Sequence, residues 1–169
     1  WRPLAEQRGG KVLGIVPART ELTAPTVREV WDILGGEMLV GDEKTDQLVE
    51  EVVIGAMTPE SALSYFRRSF HKAVITGGDR ADIALAALET STSILILTGG
   101  LYPDVKVLGK AAEKGVPVLL VPTDTYATIE RLHQVVRKLR PGDRRGIAVA
   151  RENLDRYCDF QAIWQGIQQ

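Results

Sequence analysis

Two stretches of this chain say nearly the same thing: "KAVITGGDRADIALAALET" (residues 72–90) and "SILILTGGLYPDVKVLGKAAEKG" (residues 93–115). Each is a short β-branched or leucine run, then Thr-Gly-Gly, then a segment with apolar residues at helical spacing. A third unit follows, "VPVLLVP" and then "DTYATIERLHQVVRKL". The runs show little polar alternation, as strands do when both faces are buried in a parallel sheet. Strand–helix alternation of this kind predicts an α/β fold: a compact, mostly parallel sheet with flanking helices.

The amino-terminal part is less regular. "WRPLAEQRGG" reads as the end of a helix closed by Gly9 and Gly10, and "KVLGIVPA" as a strand ended by Pro17. "LTAPTVREVWDILGG" reads as a helix with Thr23 as N-cap, Pro25 in its first turn and Gly35 as its stop. "EMLVG" and "LVEEVVIGAM" read as strands, and Thr58-Pro59 opens the helix "TPESALSYFRRS". Ile129, Leu132, Val135, Val136 and Leu139 share one face of the helix after the third unit. Arg137, Lys138 and Arg140 stand at its carboxyl end, and Pro141-Gly142 stops it. "GIAVARENLDRYCDFQAIWQGIQQ" reads as one strand-like piece and a helix whose apolar face (Leu154, Tyr157, Phe160, Ile163, Trp164) must cover something.

Lys plus Arg is 21 and Asp plus Glu is 22, a formal net charge of −1, so nothing favours nucleic acid or an anionic membrane as a bulk partner. No apolar run reaches bilayer-spanning length. Cys158 alone excludes internal disulfides and fits a reducing cytoplasm. The first residue is Trp1, which reads as a piece of a longer protein.

In an open parallel sheet, ligands bind at the carboxyl ends of the strands. Three loops would share that edge: Thr76-Gly77-Gly78-Asp79-Arg80, Thr98-Gly99-Gly100-Leu101-Tyr102 and Pro122-Thr123-Asp124-Thr125-Tyr126, with Thr76, Gly77, Gly78, Asp79, Arg80, Thr98, Gly99, Gly100, Thr123 and Asp124 as the candidate ligand residues. Glycines let the backbone approach a ligand, N–H groups at a helix start can hold an anion, and Arg80 can grip a phosphate in bidentate fashion. A nucleotide or phosphorylated small molecule fits such an edge. The same residues also serve geometry alone: strand-to-helix turns need glycine, Asp79 can be an N-cap, and Arg80 can pair with Asp79, Asp104 or Asp124.

No chemistry announces itself. GxxxxGK[ST], GxGxxG and GxSxG are all missing, so neither a P-loop nor a dinucleotide fingerprint nor a nucleophile elbow is expected. His71 and His133 lack ligand-spaced partners, so no metal is expected; both read as surface residues. Asp42, Glu43, Glu50 and Glu51 read as a solvated acidic face. No catalytic residue and no cofactor is assigned.

With these residues in hand, "AVITGGDRADI", "LAALETS", "LILTGGLYP" and "GVPVLLVPTDTY", in that order, resemble the DRTGG domain from about residue 22 to 138. The likeness is to the version in BioD-like, phosphotransacetylase-family proteins. There the DRTGG domain follows a P-loop domain, whose last helix and strand "RPLAEQRGGKVLGIVPARTELTAPTVREV" resembles. The resemblance implies a fold like the N-terminal domains of HPr kinase and MurF. It also implies a regulatory or dimerising module, expected as a homodimer, in place of a catalyst. The implied layout is residues 1–20 as the remnant or linker of a preceding domain, 21–140 as the DRTGG domain, and 141–169 as a helical extension. The alternative left open is a fragment of an acyl- or phosphotransferase-related enzyme.

Overall fold

The computed structural model describes residues 2–133 and 144–167. In chain order the elements are α1 (Arg2–Gln7), α2 (Thr20–Thr23), α3 (Val27–Leu34), β1 (Glu37–Val40), a 3-10 turn (Asp42–Lys44), β2 (Glu51–Ile54), α4 (Pro59–Phe66) and β3 (Lys72–Gly77). They continue with α5 (Ala81–Leu88), β4 (Thr92–Thr98), α6 (Val105–Lys114), β5 (Val118–Leu120), α7 (Thr125–Leu132), α8 (Arg144–Tyr157) and α9 (Phe160–Ile167). The described residues fall into two compact units: residues 24–133, and residues 2–23 with 144–167.

The first unit is built on one five-stranded sheet, ordered β1-β5-β4-β3-β2. β2, β3, β4 and β5 run parallel, and β1 pairs antiparallel with β5. The four parallel strands lie in sequence order, so each right-handed crossover sets its helix on the same face. The core shows this. Val53, Val74, Leu95, Leu97 and Val118 turn to α4, α5 and α6, where Phe66, Ile83, Leu88 and Val107 meet them. Ala73, Ile75, Ile94, Ile96 and Leu119 turn the other way, against Val27, Val30 and Leu34 of α3 and Leu132 of α7. Both faces of β3, β4 and β5 are therefore buried, which is why their sequences lack polar alternation.

At the amino ends of these strands Lys72 is wholly buried, its Nζ donating to the carbonyls of Ser69 (3.1 Å) and Ser91 (2.7 Å). Desolvation lowers its pKa, against the opposing pull of Glu51. His71 lies at the surface beside it, with Nδ1 3.0 Å from Glu50 Oε1. His133 is exposed at the end of α7.

The structure differs from the sequence reading in three places. α3 begins at Val27 with Thr26 as N-cap, in place of Thr23 with Pro25 in the first turn. A capping box decides this: the Thr26 hydroxyl accepts the Glu29 N–H (3.2 Å) and the Glu29 carboxylate accepts the Thr26 N–H (2.9 Å). Pro25 is held outside the helix, its carbonyl accepting the Val49 N–H at 2.7 Å.

"KVLGIVPA" forms no strand, since its pairing is a single antiparallel bridge, Gly14 with Cys158. An apolar run becomes a strand only where a neighbour offers a ladder, and here the neighbour is the turn that follows α8. The strand-like reading of "GIAVA" fails too, because those residues lie inside α8. In the second unit Asp159 N–H also donates to Leu13 O (2.7 Å), and Asn153, buried on α8, donates to Pro17 O (3.0 Å). Cys158 is half-buried just past α8. Val135, Val136, Leu139, the basic Arg137, Lys138 and Arg140, and the stop at Pro141-Gly142 lie outside the described residues.

Candidate functional site

Because β3, β4 and β5 are parallel, the three predicted loops do share one edge of the sheet. Two further pieces join them there: Gly55-Ala56-Met57 after β2, and Glu37 at the start of antiparallel β1.

The edge is stitched together by its own polar groups. The Thr76 hydroxyl donates to Gly55 O (3.0 Å), and the Thr98 hydroxyl donates to Thr76 O (3.3 Å). That leaves the Thr125 hydroxyl to donate to Thr98 Oγ1 at 3.0 Å. Two residues earlier in that loop, Thr123 Oγ1 lies 2.8 Å from Thr128 Oγ1, whose own proton goes to Asp124 O (2.7 Å). Three threonines that could have been candidate nucleophiles thus face carbonyls and hydroxyls. The backbone continues the sheet ladder past the strand ends. Gly78 N–H donates to Thr98 O (3.2 Å), Gly99 N–H to Thr123 O (2.8 Å), Gly100 N–H to Val121 O (2.9 Å) and Arg80 N–H to Gly77 O (3.0 Å). These four N–H groups are spent inside the protein.

The helix starts are filled as well. Asp104 caps α6 by accepting Lys106 N–H (2.8 Å), and Asp124 caps α7 by accepting Ala127 N–H (2.8 Å). Asp79 does not cap α5. Arg80 stands at its N-cap, because the turn closes from Arg80 N–H to Gly77 O, one residue later than the sequence suggests. The Asp79 carboxylate folds back over Gly77, where a Cβ would strike Asp79 Oδ1.

Arg80 carries the one cation among the ten predicted residues. Its guanidinium pairs with Asp82 in bidentate form, Nε to Oδ1 and Nη2 to Oδ2, both 2.9 Å, and Nη2 also donates to Met57 O (3.1 Å). Its partner is therefore Asp82, not Asp79, Asp104 or Asp124. The two sit two residues apart at the mouth of one helix, where their forks meet without moving a loop. Hydrogen bonding from Arg80 holds the Asp82 carboxyl below the ordinary range, and the same bond holds Arg80 above its own.

The candidate ligand residues left out the aromatic half of this edge, although the sequence put Tyr102 and Tyr126 on its loops. Tyr102 is 65% exposed and its hydroxyl donates to Glu37 Oε2 at 2.5 Å; that bond raises the phenol pKa. Tyr126, in the first turn of α7, is 74% exposed. Leu101 and Val105 lie on the Tyr102 side and are also exposed. The available signal was an unbroken "GGLYPDV" with two large apolar side chains and a tyrosine in a loop, where polar residues are the rule. Among the described residues, no group of three or more His, Cys, Asp or Glu side chains is arranged to hold a metal ion. No described helix is long and apolar enough to cross a membrane.

Comparison with known proteins gives this geometry a context. Residues 29–135 match the DRTGG domain. The chain is 33% identical over 159 residues to a phosphate acetyltransferase of Nitratidesulfovibrio vulgaris, covering 88% of this chain and 22% of the relative. It is 31% identical over 150 residues to a phosphate acetyltransferase of Pseudomonas putida, covering 84% of this chain and 21% of that protein. The chain thus spans about a fifth of the length of these curated relatives. Among solved structures it is similar to the CBS and DRTGG domains of the regulatory region of Clostridium perfringens pyrophosphatase, complexed with the activator diadenosine tetraphosphate. The TM-score is 0.58 at 26% identity, over 80% of this chain and 56% of that one.

Proposed function

The chain belongs to the DRTGG domain family, and on that premise we propose that it is a non-catalytic regulatory module of a phosphate-acetyltransferase-type protein, sensing a nucleotide or phosphorylated metabolite. The observation that carries the reading is the likeness to a pyrophosphatase regulatory region that binds a nucleotide activator. The proposed ligand edge comprises Thr76, Gly77, Gly78, Asp79, Arg80, Thr98, Gly99, Gly100, Thr123 and Asp124. In it Arg80 is the phosphate contact, turning from Asp82 to the ligand, and the threonines and glycines are the frame that fixes its position.

The threonine bonding supports a module without chemistry of its own: each hydroxyl is committed to a neighbour and none meets a histidine. A homodimer in the cytoplasm completes the proposal. β2 is an outermost strand, and Val52 and Ile54 leave apolar surface exposed along it, as a strand does when it pairs with another copy. Light scattering then reports twice the chain mass.

Thermal unfolding with diadenosine tetraphosphate, ATP, AMP and acetyl phosphate tests the ligand reading. A true ligand at about a hundred times its Kd adds about 2.7 kcal/mol of stability. Arg80→Ala should abolish the shift, whereas a shift that survives moves the site elsewhere. Acetyl phosphate and coenzyme A should not turn over, and turnover would revive the transferase-fragment reading.

A further inference from the structure

The strand-end edge is acidic. In the loops and first helical turns that follow the strands, with Glu37 at the start of β1, six carboxylates (Glu37, Glu60, Asp79, Asp82, Asp104, Asp124) face two cations, Arg80 and Lys106. The whole chain carries a formal charge of −1, so this edge is not a sample of the average surface. Beside the carboxylates lies the exposed apolar half formed by Leu101 (49%), Tyr102, Val105 (80%) and Tyr126. Its two loops are tied to one another: Gly100 N–H reaches Val121 O, and Thr98 Oγ1 reaches Thr125 Oγ1. The patch therefore rests on a rigid base, and Tyr102 is further oriented by Glu37.

We propose that this aromatic half is a docking face for a basic protein segment, one that sets leucine or aromatic anchors on Leu101, Tyr102, Val105 and Tyr126 and places Lys or Arg against Glu37, Asp104 and Asp124. Charge decides the occupant. A second copy presenting the same face would set carboxylate against carboxylate, and a polyphosphate would find its cation at Arg80, not beside Glu37, Asp104 and Asp124 of the aromatic half. Tyrosine supplies large apolar contact at low entropic cost and keeps a polar tip for the rim. The inference stands apart from the ligand reading: nucleotide binding at Arg80 can fail and the docking face remain.

The test is an NMR titration of the full labelled chain with two synthetic amphipathic helical peptides of identical leucine pattern, one bearing lysine and one glutamate. The lysine peptide should shift the amides of Leu101, Tyr102, Val105 and Tyr126, with affinity falling about tenfold or more between low and high salt. Tyr126→Ala together with Val105→Ser should weaken it about tenfold, with the melting temperature checked alongside. Equal binding of the glutamate peptide overturns the proposal. So do shifts at these residues on raising the concentration of the chain alone, which would assign the face to a second copy, or shifts with diadenosine tetraphosphate alone that persist in Arg80→Ala, which would assign it to a nucleotide.

Discussion

Thr76-Gly77-Gly78 and Thr98-Gly99-Gly100 are the same three letters at the ends of adjacent strands, yet their glycines are needed for opposite reasons. In the second turn the backbone itself demands them: φ is +83° at Gly99 and +66° at Gly100, a region L side chains rarely adopt. The space around them is open, for a Cβ on Gly99 would meet nothing closer than 3.8 Å. In the first turn φ stays out of that region and the demand is room. A Cβ on Gly78 would strike the Leu101 carbonyl oxygen, which belongs to the loop of the second turn. One turn shapes its own chain, and the other makes way for its neighbour. A repeat in sequence is thus not a repeat in function, and neither pair of glycines requires a ligand to explain it.

Substitutions can break this contrast. Gly78→Ala has the largest expected effect, about 3 kcal/mol of destabilisation, because the obstacle is backbone and has nowhere to go. Chemical denaturation measures it, and a loss under about 1 kcal/mol would mean the loops part easily. Gly100→Ala should cost about 1 to 2 kcal/mol through backbone strain alone. There D-alanine, introduced by ligation, should restore stability, while at Gly78 it should not. Gly77→Ala comes next, under about 1 kcal/mol, since what it meets is the Asp79 side chain, which can swing away.

The smallest effects separate the turns by pH. The Asp82 carboxyl, held down by Arg80, gives stability that is complete above the ordinary carboxylate value of about 3.9 and is lost as pH falls through its lowered native value. The Tyr102 phenol, raised by Glu37, works in reverse: its contribution is complete below the ordinary value of about 10 and is lost as pH rises through the raised one. Both groups are exposed, so each slope should be small. Asp82→Asn should flatten only the acid limb and Tyr102→Phe only the alkaline limb. A crossed result would dissolve the distinction.

Much of the fold was legible because periodicity and burial agree: strands covered on both faces read as solid apolar runs, and β3, β4 and β5 fell where those runs stand. The direction of β1 was not legible, since four residues reading "EMLV" serve either orientation. The start of α3 was misjudged because Thr23 and Pro25 form a plausible opening, while the Thr26–Glu29 box, its cap three residues on, is stronger. "KVLGIVPA" and "GIAVA" show that an apolar run names no element until its neighbours are known. For the candidate site, the loops and Arg80 could be located from sequence. The commitment of the Gly78, Gly99 and Gly100 amides to other loops could not, because those acceptors lie about twenty residues away along the chain. Tyr102 and Tyr126 could be placed on these loops, but their exposure could not be read from the sequence.

The central claim is that the two glycine turns are joints of the sheet, not an anion cradle. Amide hydrogen exchange of the free chain, read by NMR, tests it most directly. Gly78, Gly99 and Gly100 should exchange slowly with no ligand present, as ladder amides do. Rapid exchange in the free chain, slowed only by the nucleotide, would mean that these donors await a phosphate and would contradict the account.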